Sequence, residues 1–412
     1  MAVADERKPP SSGGVRPPTR LARGLGVGAV VTLSGLLLIG CGGPRPAPVP
    51  SPSRSAAPSP SPSPKGPTCS NQTVMAGWTI KQLAEQVVAV PVQETDVSAV
   101  QAEVAQGVGG ILLFGSNAPA DLGSQLKSVE ASAPGGIIPL VMTDEEGGGV
   151  QRMANLVGSL PWARQMGSTM TSAEIQSAAA SIGRVMLQQG VTMDLAPVVD
   201  IDGGVGPNAT NPDGFRSFSS NSTVATNDGL AFAEGLAAAG VIPVVKHFPG
   251  LGEASGNTDD GPAATLPDAT LQTGGLLPFE AAVNAGLPAV MVSNASIPGV
   301  TTLPASLSPA AIQGLLVGQL HFQGLILTDS LTALAIADLG LSVAQATVES
   351  IAAGADMVLF SSGDPGQVTA AIDAAMVAAV ADGQIATSRL VEAAGQVLAA
   401  KGVNLCSPSG PR

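Results

Sequence analysis

Several apolar runs of this 412-residue chain end in groups that can move protons or hold hydroxyls. One ends in Thr143-Asp144-Glu145-Glu146-Gly147-Gly148 and another leads to Asp200 and Asp202. Others end in Lys246-His247, near Ser293 and Asn294, in Thr328-Asp329 and in Ser361-Ser362. With carboxylates, one lysine, one histidine and arginines as the tools, the chemistry that fits best is glycoside hydrolysis. That reaction needs two carboxyl-type groups flanking the scissile bond, one as nucleophile or base and one as acid. Two other readings stay open at this level. Lys246 could form a Schiff base, as in an aldolase, or the groups could hold a sugar without reacting on it.

Such groups need elements that bring them to one place. From residue 80 onward, β-branched apolar runs alternate with Ala-rich helical stretches. The expected strands are Gln86–Val92, Gly109–Gly115, Ile137–Glu145, Val191–Asp200, Val241–Phe248, Ala289–Ala295, Gly324–Ser330 and Ala355–Ser361. Near-continuous apolar runs are the mark of parallel strands buried on both faces. Helical patterns lie between them, at Ala173–Gln189, Thr226–Ala239, Pro278–Ala285, Pro309–Leu316 and Leu341–Ala353, with a last one at Thr387–Ala400. Eight such units imply a (β/α)8 TIM barrel with its active groups at the C-terminal strand ends. An open doubly wound sheet is the weaker alternative, because no Gly-rich nucleotide loop follows the first strand.

Composition narrows the function. A formal charge of −13 with only 12% charged residues argues against nucleic-acid binding, which needs Lys/Arg clusters. Eight Phe, two Trp and no Tyr argue against base-stacking platforms. The only histidines, His247 and His321, are too few for a multi-histidine metal site, so no metal or cofactor is expected.

The ends read differently from the middle. Arg16, Arg20 and Arg23 precede an apolar run from Leu25 to Ile39, the pattern of a secretory signal over residues 1–40. Leu38-Ile39-Gly40-Cys41 resembles a bacterial lipobox, which implies acylation of Cys41 and a membrane partner through that lipid. Ten of residues 42–67 are Pro, so 41–67 is expected to be an extended tether. The folded domain is expected over 68–406. Cys69 and Cys406 stand at its two ends, an even pair in an oxidising compartment and so a plausible disulfide.

Longer motifs carry a family resemblance. KHFPGLG (246–252) resembles the KHFPGHG signature of the NagZ-like β-N-acetylglucosaminidases of glycoside hydrolase family 3. TDEEGGGVQRM (143–153), MDLAPVVDID (193–202), GFRSFSSN (214–221) and GLILTDSLTALAI (324–336) are similar to further segments of that family, in its order. The resemblance implies a cofactor-free retaining glycosidase with Asp329 as nucleophile. It places Asp144, Arg152, Arg216, Lys246 and His247 on the terminal sugar. Glu145 and Glu146 are expected to be supporting or helix-start carboxylates. The implied substrate is terminal β-linked N-acetylglucosamine of cell-wall fragments, with β-glucosides or phosphorolysis as alternatives on the same barrel. A monomer is the working expectation.

The chain also departs from the family pattern. The subgroup's loop Asp-Ser-His falls on Asn257, Thr258 and Asp259, so the histidine that serves as acid/base is missing. A second loop histidine is replaced by Leu251, and an arginine by Gly149. Asp259 could take over the proton transfer if burial raises its pKa. Asp260 could do so with a shifted loop, or the site could be impaired. Glycines flank the Gly252–Gly261 loop, as expected of a movable lid.

Overall fold

The computed structural model of the chain describes residues 69–407; the expected signal, Cys41 and the tether lie outside the described residues. Eight parallel strands close into a barrel: β1 (Val88–Gln93), β2 (Gly110–Phe114), β3 (Leu140–Thr143), β4 (Met193–Asp194), β5 (Ile242–Phe248), β6 (Ala289–Val292), β7 (Leu325–Ser330) and β8 (Met357–Leu359). Each pairs with its neighbours in sequence, and β8 closes on β1 through Val88–Val358 and Ala89–Leu359. The (β/α)8 expectation therefore holds, with tighter strand bounds. β4 is the shortest because Pro197 has no N–H to give a ladder. Beyond it the chain rejoins β5 through the Val244 N–H, which donates to the Ala196 carbonyl (3.0 Å), and a bridge between Val198 and Lys246.

The alternation of side chains along each strand sorts the core into two layers. Leu112, Met142, Leu195, Val244, Leu327 and Leu359 point inward and fill the barrel. Val245 of β5 points outward, and a register irregularity after it turns Phe248 outward too, where Phe248 meets Phe279 of the helix Leu277–Asn284 edge to face at 5.3 Å. Apolar surface buried on both sides of the sheet is the main stabilising contribution, at about 25 cal/mol per Å2.

Helices cover the outside. In α1 (Ser172–Gln188), Ile175, Ala179, Ile182 and Met186 form the buried stripe, and Thr171 and Glu174 cap its start reciprocally. α1 packs closely on α2 (Ser222–Ala239) because Gly235 has no side chain; a Cβ there would sit 2.2 Å from the Gln176 carbonyl oxygen. The expected helix after β6 forms over Ala310–Gln319, wound as a π-helix.

The ends of the domain meet at its surface. Cys69 and Cys406 form a disulfide with Cα atoms 5.9 Å apart. Asn71 reinforces the junction: its amide donates to the Val403 carbonyl (2.7 Å) and accepts from the Leu405 N–H (2.8 Å). Closing so long a chain segment restricts the unfolded state, so Cys406→Ser should lower unfolding free energy by about 2–4 kcal/mol. Denaturant titration under oxidising conditions measures this. An unchanged midpoint would mean that the Asn71 bonds already hold the ends.

Candidate active site

The inward row of each strand continues past the apolar plug. Asp144 lies two residues beyond Met142, Lys246 two beyond Val244 and Asp329 two beyond Leu327. These side chains rim a cavity of about 200 Å3. Leu112, Leu195, Met291 and Leu359 form its floor; Asp144, Arg216, Lys246 and His247 line it, with Asp329 and Asp259. A larger, mostly apolar cavity of about 350 Å3 opens at the other end of the barrel, near Trp78, Gln86 and Ile137. No titratable group lines it, so the smaller cavity is where chemistry can occur.

A buried charge network builds the wall. Lys246 Nζ lies 2.8 Å from Asp144 Oδ1 and 2.6 Å from Glu146 Oε1. Arg216 grips Glu146 with two bonds, Nε to Oε2 at 2.8 Å and Nη2 to Oε1 at 2.9 Å, the fork geometry of a strong guanidinium–carboxylate pair. Arg152 reaches Asp144 at 3.7 Å and lies over the Phe114 ring, 5.6 Å from its centroid. Burial alone would raise the Glu146 pKa, but the Arg216 and Lys246 charges hold it well below the usual carboxylate range. Burial alone would lower that of Lys246, yet Asp144 and Glu146 raise it, so the ammonium stays charged.

His247 is set by Asp200. Its Nδ1 donates to Asp200 Oδ2 at 2.7 Å and its backbone N–H to the same oxygen at 3.0 Å. Asp200 Oδ1 accepts from Leu251 N–H at 2.7 Å. Burial, aided by Arg216, pushes the His247 pKa down to about 4, so the ring is neutral. Its Nε2 lies 3.4 Å from Arg216 Nη2. Asp213 is buried beside this pair; burial first and Asp200 second push its carboxyl well above the usual range. Asp200, Asp213 and His247 are close enough to share a metal ion. Asp200 already accepts three N–H donors, and Arg216 lies 3.9 Å from Asp213, bringing a fixed positive charge to the cluster.

Asp329 is half-buried and takes the Ser330 backbone N–H at 2.7 Å. Burial raises its pKa and so does Asp259; His247, the Ser330 N–H and Lys246 oppose them. Asp259 lies exposed at the rim. Loss of water around it, with Asp260 beside it, raises its pKa against the pull of Arg216. The two carboxyl groups thus face one cavity and feel each other. The loop carrying Asp259 is docked: the Thr258 carbonyl accepts from Ala335 N–H (3.0 Å), and Asn257 N–H donates to the Ala209 carbonyl (3.0 Å).

The structure brings Asp329, Asp259, Asp144, Arg216, Lys246 and His247 together, with Arg152 behind Asp144. Asp260 does not line the cavity, and exposed His321 precedes β7, away from the mouth. Glu145 and Glu146 do not start a helix. They form a short strand, Glu145–Gly147, paired with Val150–Gln151, because Gly147 and Gly148 both take positive φ and turn the chain back. Glu145 then accepts from Gln151 Nε2 (2.9 Å) and the Met153 N–H, and burial raises its pKa to about 7. Two supporting residues carry no motif signal. Asp213 lies in the loop after β4. Arg164 donates to the carbonyls of Ser217 (3.1 Å), Gly214 (3.3 Å) and Asp202, fastening the loop that presents Arg216.

A family profile described as the glycosyl hydrolase family 3 N-terminal domain matches residues 79–400. Beta-hexosaminidase LpqI of Mycobacterium tuberculosis is 37% identical over 260 residues. That match covers 61% of this chain and 66% of the relative, just under two thirds of its length. The solved structure of that protein superposes with a TM-score of 0.73 at 32% identity, covering 81% of this chain and 97% of that one. A beta-N-acetylhexosaminidase structure from Beutenbergia cavernae gives 0.72 at 30% identity, with 80% and 100% coverage. A secreted glycosyl hydrolase of Arthroderma benhamiae is 32% identical over 302 residues, 71% of this chain and 84% of the relative.

The charge network can be tested apart from any reaction. Removing Glu146 leaves Arg216 buried without its forked partner, and breaking a buried pair costs about 3–5 kcal/mol. Glu146→Ala should lose about that much unfolding free energy by denaturant titration. A loss no larger than that of a surface salt bridge would contradict the network's structural weight.

Proposed function

The chain belongs to glycoside hydrolase family 3, and from that premise we propose that it is a retaining exo-glycosidase. It releases terminal β-linked N-acetylglucosamine from cell-wall fragments or related glycosides. The observation that carries the reading is the pair Asp329 and Asp259 facing one small cavity whose wall offers Asp144, Lys246, Arg216 and His247. The cavity volume of about 200 Å3 lies below the range that encloses a drug-sized ligand, which suits a single terminal ring. Beta-hexosaminidase relatives at 30% identity and above support the choice of sugar.

In this mechanism Asp144 accepts from sugar hydroxyls, and Lys246, Arg216 and His247 orient the ring, with Arg152 holding Asp144. The Asp329 carboxylate attacks the anomeric carbon as the glycosidic C–O bond breaks, and Asp259 gives its proton to the departing oxygen. Asp259 then takes a proton from water; the water oxygen bonds to the anomeric carbon and the ester to Asp329 breaks. Asp259 lines the cavity while Asp260 does not, and its raised pKa suits a group that must be protonated to act. A carboxyl group thus fills the role of the family's loop histidine.

Export through the N-terminal signal, with acylation of Cys41 and a role in peptidoglycan turnover, completes the proposal. A secreted relative supports the export. Among the described residues no helix is long and apolar enough to cross a membrane.

The acid role has a clear sign. Asp259 must be protonated in the bond-cleaving step, so kcat/KM should fall as pH rises through its raised pKa, and it should fall at low pH as Asp329 takes up a proton. Asp259→Ala should slow substrates with poor leaving groups by about 100-fold or more, slow an activated aryl glycoside far less, and lose the alkaline limb. Equal slowing of both substrates, with the limb retained, would remove Asp259 from this role.

A further inference from the structure

Two polar groups at strand ends, Asn294 and Ser361, have no part in the mechanism above, yet both bond to Ser330, the residue after the nucleophile. β6 keeps register with β7 only as far as Val292 beside Thr328, whereas β7 runs on through Asp329 to Ser330. The nucleophile therefore stands just past the end of the β6 ladder. A side chain takes over there. Asn294 donates from Nδ2 to the Ser330 carbonyl at 2.8 Å. Its Oδ1 accepts from the Ser306 hydroxyl at 2.6 Å, and the Ser306 N–H donates to the Ser293 carbonyl at 3.0 Å. A carbonyl can only accept, so the Ser330 contact settles which way round the amide lies. Asn294 and Ser306 are both buried.

The other edge of β7 is held by β8. Leu331 N–H donates to the Leu359 carbonyl at 2.9 Å, and Ser330 Oγ lies 2.9 Å from Ser361 Oγ. The peptide group between Ser330 and Leu331 is thus bonded on both sides, its C=O to Asn294 and its N–H to Leu359. With that plane fixed, the Ser330 N–H is aimed at Asp329 Oδ1, 2.7 Å away. We infer that Asn294 is a positioning residue for the nucleophile: it replaces the missing β6 backbone donor and so keeps the Ser330 N–H on Asp329 Oδ1, leaving Oδ2 to attack the anomeric carbon. This rests on the glycosidase reading above. The same N–H stabilises the carboxylate when the ester breaks and the bonding electron pair returns to Asp329. It also favours the ionised form beforehand, opposing the effect of burial on the Asp329 pKa.

The test uses two variants. Asn294→Leu keeps the shape of the side chain but neither donates nor accepts. Ser306→Ala keeps Asn294 and loosens it. Neither alters the charged and titratable groups that act on the Asp329 carboxyl, which are His247 and Lys246 of β5 and Asp259 of the loop beyond it. With a β-linked N-acetylglucosamine disaccharide, Asn294→Leu should lower kcat by about 30-fold with KM little changed, and Ser306→Ala by about threefold. The acid limb of kcat/KM, set by Asp329, should move to higher pH, while the alkaline limb, set by Asp259, stays in place. A general loosening of the fold would not move one limb alone. Unchanged kcat in Asn294→Leu would overturn the role, and so would a loss in which the acid limb stays put or moves together with the alkaline one. Should Asn294→Leu fail to fold, Ser306→Ala decides on the same readouts. No turnover by the unaltered enzyme would instead overturn the glycosidase reading, and the positioning role with it.

Discussion

Strand alternation inside a closed barrel decides where the reactive groups of this protein point. Leu325 and Leu327 fill the interior, so Asp329 must face the mouth; Leu140 and Met142 do the same for Asp144, and Val244 for Lys246. A register slip of one residue would turn an acid outward among packed helices and an apolar residue into the cavity. The apolar plug and the active groups are thus one continuous pattern. Stability and chemistry share the same strands, with the change from apolar to polar at their C-terminal ends.

Charges brought together in this way have to be compensated. The mouth holds Asp144, Glu146, Lys246 and Arg216 in one interlocked set, and Asp200 and Asp213 beside His247. The set is a mixed one. Glu146 is held ionised by two cations, whereas burial pushes the carboxyls of Asp213 and Asp194 well above the usual range. Desolvation of so many groups is costly. In exchange the wall is rigid before any sugar arrives, which is what differential stabilisation of a transition state requires. Asp259 differs from these groups. It stands exposed on a loop, held by backbone bonds rather than by the network, as fits the proton-transfer role proposed for it.

The legible part of the structure followed from period and position. Eight apolar runs separated by helical patterns gave the barrel, and residues at their C-terminal ends gave Asp144, Lys246, His247 and Asp329. Motif resemblance supplied Arg152, Arg216 and the gap where the loop histidine is missing. The illegible part lies where neither period nor motif constrains the path. Asp213 and Arg164 act through the loop between β4 and α2, whose course is set by carbonyls that Arg164 gathers from three separate points. Consecutive Glu145 and Glu146 read as supporting carboxylates or as a helix start, a position that acidic residues favour. Two positive-φ glycines make a hairpin there instead, which swings Glu146 onto Arg216.

The central claim is that Asp329 forms a covalent bond to the sugar. The most direct measurement is mass spectrometry of peptides after the enzyme is incubated with a slow substrate that has a good leaving group, so that the glycosyl-enzyme accumulates. The expected result is one sugar mass on the peptide containing Asp329, absent from the Asp329→Ala protein. A sugar mass on a different residue, or full turnover by Asp329→Ala, would contradict it.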